Sequence, residues 1–543
     1  MKKIGIWGDS ASVALQPTFD ALGQAFGVSF ERRQYFNDHD VDAWIVLAAK
    51  SEFTSMLGSA SKPCYIVADQ ADLLPGSTST TLQFTDRSEL DPVLRGRRVA
   101  VDDAADVRAL PRWLHNVAPL AFKESSPVWA VQEDGVCRHH WVSLVPPVLD
   151  PGEPLFSQLC ARRFARLLPL VLFVRTLVEG AGWEPPPLQA AFMFDDPNLH
   201  WTSYGFIDFC EMIRRASAGN YHVSFATIPL DSWFVYRPAA SIFKASSDRV
   251  SLLCHGNDHV SNELGRSRSA EDMHNLLRQA VARLAAMEAT TGLDVARVMA
   301  PPHGACSQTA IDAMAQVGFE ALCISRGSLR FHNPNAGWTR AIGVRPCDVI
   351  RGLTVIPRFG LSNDCRNDIL IAALLRQPIV PITHHQAVSD GYHLLDETAS
   401  FINSLGAVSW QNLKSISRSL YSQRNQGDTL HVRMFSKRIT IRLPEGVTSV
   451  HVERPWLDAF EESLSWRSEN THWNRVANPG NVVVPEGTSV EIVSGVPQKT
   501  QRTNGSGPRR FRPVARRLLT EGRDRVLPSL HRIAGRQRTN RPA

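Results

Sequence analysis

Short β-rich runs alternate with helical stretches between residues 185 and 425, and this alternation most constrains the fold of the chain. Helical patterns separate the runs, as at 308–317, where Ser307 can cap the helix and Gly318 can end it. Such alternation predicts a parallel α/β sheet. Seven strands favour a (β/α) barrel over an open sheet, although the pattern alone leaves closure open. The predicted strands are 188–194, 221–227, 250–254, 296–300, 319–325, 353–357 and 378–383.

At 543 residues the chain is too long for one hydrophobic core, so further domains are expected on both sides of this region. Strand and helix patterns also alternate near the N-terminus, whereas the segment after residue 425 has β-branched runs separated by Pro and Gly. We therefore predict a small α/β domain of flavodoxin-like or Rossmann-like type at 1–110, a hairpin and helical connector at 111–184, the barrel at 185–425, a small β-sandwich at 426–496, and a basic, partly disordered tail at 497–543.

Positive charge is concentrated at the C-terminal end of the chain. The formal net charge is +6, but from residue 499 onward thirteen Lys and Arg accompany only Glu521 and Asp524, so the rest of the chain is net acidic. Residues 516–533 can form a short basic amphipathic helix, which suits peripheral association with an anionic membrane surface. A solvated tail is the alternative, and the sequence favours it. We expect no nucleic-acid partner, and the sequence leaves the oligomeric state open.

Three features of the sequence favour a cytoplasmic location. The first residues, MKKIGIWGDSAS, lack the apolar region and the cleavage site of a secretory signal. The longest apolar run, at 167–174, is far shorter than the roughly 20 residues of a membrane span and is expected to be a buried helix. Nine cysteines without CxxC pairs fit a reducing compartment. We therefore expect a protein that acts in the cytoplasm or at the inner face of the membrane.

Acidic and imidazole side chains follow four of the predicted strands. Because the carboxyl ends of parallel barrel strands meet on one face, four separate loops are expected to bring these side chains to one mouth. Adjacent carboxylates resist joint burial unless a cation lies nearby, and one carboxylate with two imidazoles can hold a metal while leaving a position open. The candidates are Asp195 and Asp196 after the first strand, His255 and His259 after the third, His303 after the fourth, and His384 and His385 after the seventh.

Four short motifs at these positions resemble those of one family. FDD at 194–196, HGNDH at 255–259, APPHG at 300–304 and ITH at 382–384 are similar to motifs of the NodB-type polysaccharide deacetylases, carbohydrate esterase family four. The resemblance covers about residues 188–415. It implies a distorted (β/α) barrel, an N-acetylated glycan as substrate, and a divalent metal, usually Zn²⁺ and otherwise an ion such as Co²⁺ or Ni²⁺.

The resemblance also implies roles for the matching residues. The metal would polarise the acetamide carbonyl and acidify a bound water, while protein groups move the protons. The implied roles are metal ligand for Asp196, His255 and His259, general base for Asp195, general acid for His384 with its neighbour His385 as the alternative, and support of the oxyanion by the backbone beside His303.

Several positions depart from the family pattern. Gly256 replaces a hydroxyl residue that braces the second motif, Ala300 replaces the arginine that orients the base, and Pro197 follows the two aspartates where the family often has glycine. His303 stands where a tyrosine is usual and can contribute to the site in place of the missing arginine. The loss of that arginine is the feature that favours a protein without catalytic activity.

The sequence therefore predicts a metal-dependent carbohydrate amidohydrolase that removes an N-acyl group, most often acetyl, from an amino sugar of a cell-envelope polysaccharide or its precursor. The alternative is a catalytically inactive carbohydrate-binding or assembly protein on a deacetylase-like barrel. A glycosidase with two carboxylates is a third hypothesis. It fits poorly, because the side chains of the adjacent Asp195 and Asp196 leave a strand on opposite faces.

Overall fold

The computed structural model of the chain describes residues 1–8, 11–36, 40–58, 60–76, 78–104, 107–134, 137–150, 152–180, 182–456, 463–468, 471–476, 480–483, 488–496, 514–524 and 526. The chain forms two compact units. The first comprises Met1–Trp183, Asn335–Arg345 and Arg366–Leu375. The second comprises Glu184–Pro334, Pro346–Cys365 and Arg376–Ala543.

A mixed nine-stranded sheet forms the centre of the first unit. Its strands are β1 (Lys2–Trp7), β2 (Val28–Arg32), β3 (Ala43–Ala49), β4 (Cys64–Ala68), β5 (Thr81–Phe84), β6 (Arg98–Ala100), β7 (Ala118–Lys123), β8 (Ser126–Asp134) and β9 (Cys137–Val142). The strand order is β2-β1-β3-β4-β9-β8-β7-β5-β6. The neighbours from β2 to β9 pair in parallel, and those from β9 to β6 pair antiparallel. Residues predicted as a separate hairpin thus extend the N-terminal sheet.

Four helices accompany this sheet along the N-terminal part of the chain. They are α1 (Ala11–Ala14), α2 (Gln16–Phe26), α3 (Phe53–Leu57) and α4 (Leu168–Glu179). Helix α4 contains the apolar run that was predicted to be a buried helix, and Leu168 through Val174 are all buried. Within the described ranges, no helix combines the length and the apolar character that crossing a bilayer requires.

A second nine-stranded sheet, with mostly parallel pairing, forms the centre of the second unit. The strands of this region are β10 (Leu188–Ala190), β11 (Phe192–Asp195), β12 (Ser203–Tyr204), β13 (Ile207–Asp208), β14 (Val223–Thr227), β15 (Val250–Cys254), β16 (Val295–Met299), β17 (Ala321–Ile324), β18 (Asp348–Ile350), β19 (Leu353–Pro357), β20 (Phe359–Gly360), β21 (Pro381–Thr383) and β22 (Val408–Trp410). The large sheet has the order β18-β19-β17-β16-β15-β14-β11-β21-β20. Each predicted strand overlaps an observed one, because the apolar runs fill the core on both faces of the sheet.

The predicted mixed α/β architecture is confirmed, but closure of the sheet into a barrel is not shown. No pairing among the described strands joins the two ends of the order. Those ends are nevertheless close along the chain, since only Arg358 separates β19, near one end, from β20 at the other. This residue therefore lies where the two edges of the sheet approach each other.

Helices follow these strands along the chain, and several of them begin at a capping side chain, although the helix Arg366–Leu374 belongs to the first unit. They are α5 (Phe209–Ala218), α6 (Arg237–Ala245), α7 (Ala270–Thr291), α8 (Gln308–Val317), α9 (Arg326–His332), α10 (Arg366–Leu374), α11 (His393–Asn403) and α12 (Leu413–Arg418). The hydroxyl of Ser307 accepts a hydrogen bond from the backbone N–H of Ala310, and Gly318 ends α8 with φ +95°. Ser269 caps α7 in the same way through the N–H of Asp272, at 3.0 Å.

Two four-stranded sheets follow at the C-terminal side of the second unit. Their strands are β23 (Tyr421–Gln426), β24 (Thr429–Met434), β25 (Arg438–Arg442), β26 (Ser449–Glu453), β27 (Leu464–Ser468), β28 (Asn474–Val476), β29 (Gly480–Val483) and β30 (Ser489–Ser494). The orders are β23-β24-β26-β29 and β25-β30-β27-β28. Alternating residues of both sheets, such as Val432, Val450 and Ile492, contribute to one buried cluster.

Residues 514–524 form a helix, called the C-terminal helix below. The tail was predicted to be partly disordered at 497–543. Only 514–524 and Val526 of that range are among the described residues.

Candidate active site

The predicted site residues lie where their strands end. Asp195 is the last residue of β11, and His255 and His384 directly follow β15 and β21. His303 lies in a 3-10 turn after β16. Because β11, β15, β16 and β21 run in parallel through the large sheet, their carboxyl ends face the same side. The acidic and imidazole side chains that follow these strands therefore start from one side of the sheet.

Three of the predicted ligands form a compact group. Nε2 of His259 lies 3.0 Å from Oδ1 of Asp196, and Nε2 of His255 lies 3.4 Å from the same oxygen. The ligand atoms of the three side chains lie within 4.8 Å of one another. Asp196 and His259 have positive φ angles of 81° and 55°. Such backbone costs about 1–3 kcal/mol for a residue other than glycine, so the surrounding contacts must enforce it.

The hydrogen bonds around this group suit a divalent metal. Nδ1 of His255 lies 2.8 Å from the carbonyl oxygen of Ala300, which can only accept, so Nδ1 carries a proton and Nε2 is the ring atom that faces Asp196. Oδ1 of Asp196 is buried, and no described residue donates a hydrogen bond to it. A carboxylate oxygen and imidazole nitrogens that converge in this way fit a shared Zn²⁺, Co²⁺ or Ni²⁺ ion.

The charges around the group set the protonation of two side chains. Burial opposes the ionisation of Asp196, but the imidazoles of His255 and His259 outweigh burial and hold the pKa of this carboxyl well below its usual range. Partial burial and the same two imidazoles lower the pKa of His303, whose ring centre lies 5.1 Å from that of His259. At neutral pH Asp196 is therefore a carboxylate and His303 a neutral imidazole.

A buried glutamate braces the loop that carries the two candidate histidine ligands. Glu263 accepts hydrogen bonds from the backbone N–H groups of Asn257 and Asp258, both at 2.8 Å, and of His259 at 3.3 Å. Gly256 has φ +67°, and a Cβ there would lie 2.4 Å from Oε2 of Glu263. The hydroxyl residue of the family pattern thus has no room at position 256, and the Glu263 carboxylate does the bracing. Its signal in the sequence is a glutamate four residues after His259 in an otherwise polar turn.

An arginine from a distant strand holds Asp195. Nη1 of Arg358 lies 3.1 and 3.2 Å from the two carboxylate oxygens of Asp195, and Nη2 donates to the carbonyl oxygen of Pro301 at 3.4 Å. Both side chains are buried. Ala300 removes an arginine from the expected position, and Arg358 supplies a guanidinium from the end of β19 instead. Sequence reasoning missed it, although a charged residue directly after an apolar strand was a visible signal.

The side chains of the two adjacent histidines after β21 lie in different environments. His384 is half exposed, and its Nε2 lies 4.0 Å from Oδ2 of Asp196. His385 is buried, its ring stacks on that of Phe206 with centres 5.7 Å apart, and its Nε2 lies 3.7 Å from Oδ2 of Asp524. Of the two histidines, His384 is therefore placed beside the carboxylate of the ligand group.

The C-terminal helix, which the site prediction did not include, packs on the loops beside the site. Arg517 forms a buried ion pair with Asp231, with Nη2 2.5 Å from Oδ2. Glu521 lies 2.9 Å from Nδ1 of His200. Asp524 accepts a hydrogen bond from the hydroxyl of Tyr204 at 3.2 Å. Charged side chains on one face of this helix thus point into the protein.

Among the described residues, a second group with metal-ligand chemistry lies on β24 and β26. His431, His451 and Glu453 bring one ligand atom each within the same 4.8 Å limit. Glu453 is already engaged, since Nε of Arg433 donates to it at 2.8 Å. This partner weakens the case for a metal, and the group serves as a control for the first one.

Fold and side chains together define a mixed α/β protein with a candidate metal centre flanked by a held carboxylate and a half-exposed imidazole. No protein-family model and no curated protein matches the chain. Among solved structures, the chain is similar to a Mycobacterium smegmatis protein considered a polysaccharide deacetylase, with 12% identity, a TM-score of 0.31, and coverage of 44% of this chain and 91% of that one.

Two further solved structures are carbohydrate esterases of family four. One is from Streptomyces lividans, with 12% identity, a TM-score of 0.22, and coverage of 40% of this chain and 88% of that one. The other is from Streptococcus mutans, with 11% identity, a TM-score of 0.25, and coverage of 42% of this chain and 87% of that one. Similarity this distant carries no functional argument, so the functional proposal rests on the site itself.

Proposed function

We propose that the protein is a metal-dependent hydrolase that removes an N-acyl group, most often acetyl, from an amino sugar of a cell-envelope polysaccharide or its precursor, and that it acts in the cytoplasm or at the inner face of the membrane. The observation that carries this proposal is the separation of roles between the two adjacent aspartates. Oδ1 of Asp196 faces two imidazole nitrogens, whereas both oxygens of Asp195 face Arg358. One carboxylate is thus set up as a ligand, and the other as a base.

Asp196, His255 and His259 would hold the ion, which supplies a Lewis acid for the amide carbonyl and for water when it is bound. Asp195 takes a proton from the attacking water, and Arg358 keeps its carboxylate oriented while lone pairs of the oxygens remain free to accept. His384 is exposed enough to reach substrate and donates a proton to the departing amine. The amide C–N bond breaks, a carbon–oxygen bond to water forms, and a carboxylic acid and a free amine result.

The alternative of a catalytically inactive carbohydrate-binding protein rested on the missing arginine. Arg358 occupies the position beside Asp195 that such a guanidinium requires, so this feature no longer separates the two hypotheses. The pairing of a ligand group with a separately held carboxylate supports the hydrolase.

Metal content and acetate release test the proposal together. Elemental analysis of the purified protein is expected to find near-stoichiometric divalent metal, lost in the variant Asp196→Ala/His259→Ala and retained in the control variant His431→Ala/His451→Ala. The wild type is then expected to release acetate from an N-acetylated glycan, and Asp195→Asn to lose that activity while it keeps the metal. A wild type that stays metal-free after incubation with zinc, cobalt or nickel would refute the proposal.

A further inference from the structure

Large apolar side chains are exposed on the loops beside the site and on the C-terminal helix. Trp201 and Trp233 are 54% and 49% exposed, and they are the exposed tryptophans of the described chain. Phe234 and Tyr236 follow Trp233 closely in the sequence and are also exposed. The remaining members are Leu518 and Leu519, and we call these six residues, Trp201, Trp233, Phe234, Tyr236, Leu518 and Leu519, the apolar rim.

One buried histidine connects the two parts of the apolar rim. The ring of His200 lies 5.4 Å from that of Trp233 and 5.8 Å from that of Phe234, while its Nδ1 contacts Glu521 of the C-terminal helix. Trp201 follows His200 directly, and its ring centre lies 6.0 Å from that of Tyr236. His200 is only four residues after Asp196, so the loop that carries His200 and Trp201 begins at the candidate active site.

The C-terminal helix differs from an ordinary surface helix, because it buries two charged side chains and exposes two leucines. Its charged residues Arg517 and Asp524 are 7% and 3% exposed, whereas Leu518 and Leu519 are 52% and 76% exposed. A surface helix of a globular protein buries its apolar stripe and exposes its charges. The outward leucines therefore indicate that a partner covers this face.

Charge and composition identify the chemistry of that partner. Arg516 and Arg523 of the helix are exposed, and the sequence on either side of the helix is rich in arginine. Exposed Trp and Tyr with leucines and arginines are the composition that binds the interface of a bilayer carrying anionic lipid. Aromatic residues alone would also suit a glycan, but a sugar offers little to exposed leucines.

We propose that the apolar rim binds the surface of an anionic lipid bilayer. The rim side chains enter the interfacial region, and the arginines of the helix and of its flanking sequence contact the lipid headgroups. Binding in this way holds the mouth of the candidate site at the bilayer surface. Together with the proposed function, on which this step rests, binding at the bilayer makes an amino sugar anchored to lipid the favoured substrate class.

Vesicle flotation of the full chain tests the proposal. Vesicles of phosphatidylcholine mixed with phosphatidylglycerol are expected to bind the protein. Vesicles of phosphatidylcholine alone are expected to bind it with an affinity at least about tenfold lower. Leu518→Gln/Leu519→Gln and Trp201→Ser/Trp233→Ser are expected to lose about tenfold in binding to the mixed vesicles. Phe331→Ser is the matched control, because Phe331 is 79% exposed in the same unit but is not part of the rim. It is expected to bind like the wild type.

Further readouts separate the competing outcomes. Equal vesicle binding of the leucine variant and the wild type would overturn the proposal. It would also be overturned if the rim bound soluble N-acetylated glycan and no vesicles, or if the rim mediated dimerisation instead. A conservative variant, Trp201→Phe, keeps the fold and is expected to lose part of the quenching of tryptophan fluorescence by brominated lipid. Acetate release from a soluble glycan is expected to be unchanged in the rim variants. If no variant and no wild type releases acetate, the proposed hydrolase fails while the vesicle result still stands.

Discussion

Replacing Arg358 by methionine tests how the candidate base is held. The guanidinium is the described partner of both carboxylate oxygens of Asp195, and both side chains are buried. Methionine keeps much of the apolar volume but leaves the carboxylate buried without its cation. Removing one partner of a buried ion pair costs about 3–5 kcal/mol of unfolding free energy.

A second substitution separates this effect from a general packing defect. In Arg358→Met/Asp195→Asn the buried charge is absent, so the double variant is expected to recover at least half of the stability that the single variant loses. At roughly 2 °C per kcal/mol for a large domain, the single variant is expected to melt roughly 6–10 °C below the wild type. Arg351→Met is the control, because its ion pair with Asp312 is largely exposed and worth at most about 1 kcal/mol.

Thermal unfolding of the metal-free proteins measures these differences without the contribution of bound ion. Acetate release adds a functional readout. Arg358→Met is expected to lose about 10²-fold in kcat because the base is no longer oriented, and the kcat of Arg358→Lys is expected to lie between those of the wild type and Arg358→Met. Equal melting temperatures of the single and double variants would refute the reasoning. So would full activity in Arg358→Met.

Three further outcomes are expected. Gly256→Ser restores the hydroxyl of the family pattern but is expected to destabilise the protein by about 1–3 kcal/mol in thermal unfolding, because φ is +67° and a Cβ would lie 2.4 Å from the Glu263 carboxylate; a stability equal to wild type would show that the loop has room. Burial opposes protonation of His200, but Glu521 outweighs burial and raises the pKa of His200 above its ordinary value of 6.5. Protonated His200 therefore stabilises docking of the C-terminal helix below pH 6.5. This contribution is lost as the pH rises through the raised pKa. Hydrogen exchange of the helix amides should accelerate over that range, and His200→Asn should remove the pH dependence; a helix that exchanges equally at all pH values after correction for intrinsic rates contradicts this. A chelator is expected to lower the melting temperature of the metal-loaded wild type, whereas it should leave that of Asp196→Ala/His259→Ala unchanged, and an equal shift in both would place the metal elsewhere.

Short-range patterns made much of the second unit predictable. The seven strands between 188 and 383 are continuous apolar runs, and caps such as Ser307 and Gly318 are local signals that act within a few residues. The same locality placed acids and histidines at strand ends, and parallel pairing then brought Asp196, His255 and His259 together. Closure of the sheet was not predictable in this way, because it depends on how its edge strands meet.

The sequence by itself determined seven strands of the second unit, the motifs at the strand ends, and the residues that are candidates for the ligand group. Only the tertiary structure decided which cation holds Asp195, since Arg358 is 163 residues away along the chain. It also decided that Arg517 pairs with Asp231 across 286 residues, which turns the charged face of the C-terminal helix inward and its leucines outward. The physical reason is that a charged side chain carries no local mark of its partner. With 59 Lys and Arg in the chain, the fold alone selects the one that meets a given carboxylate.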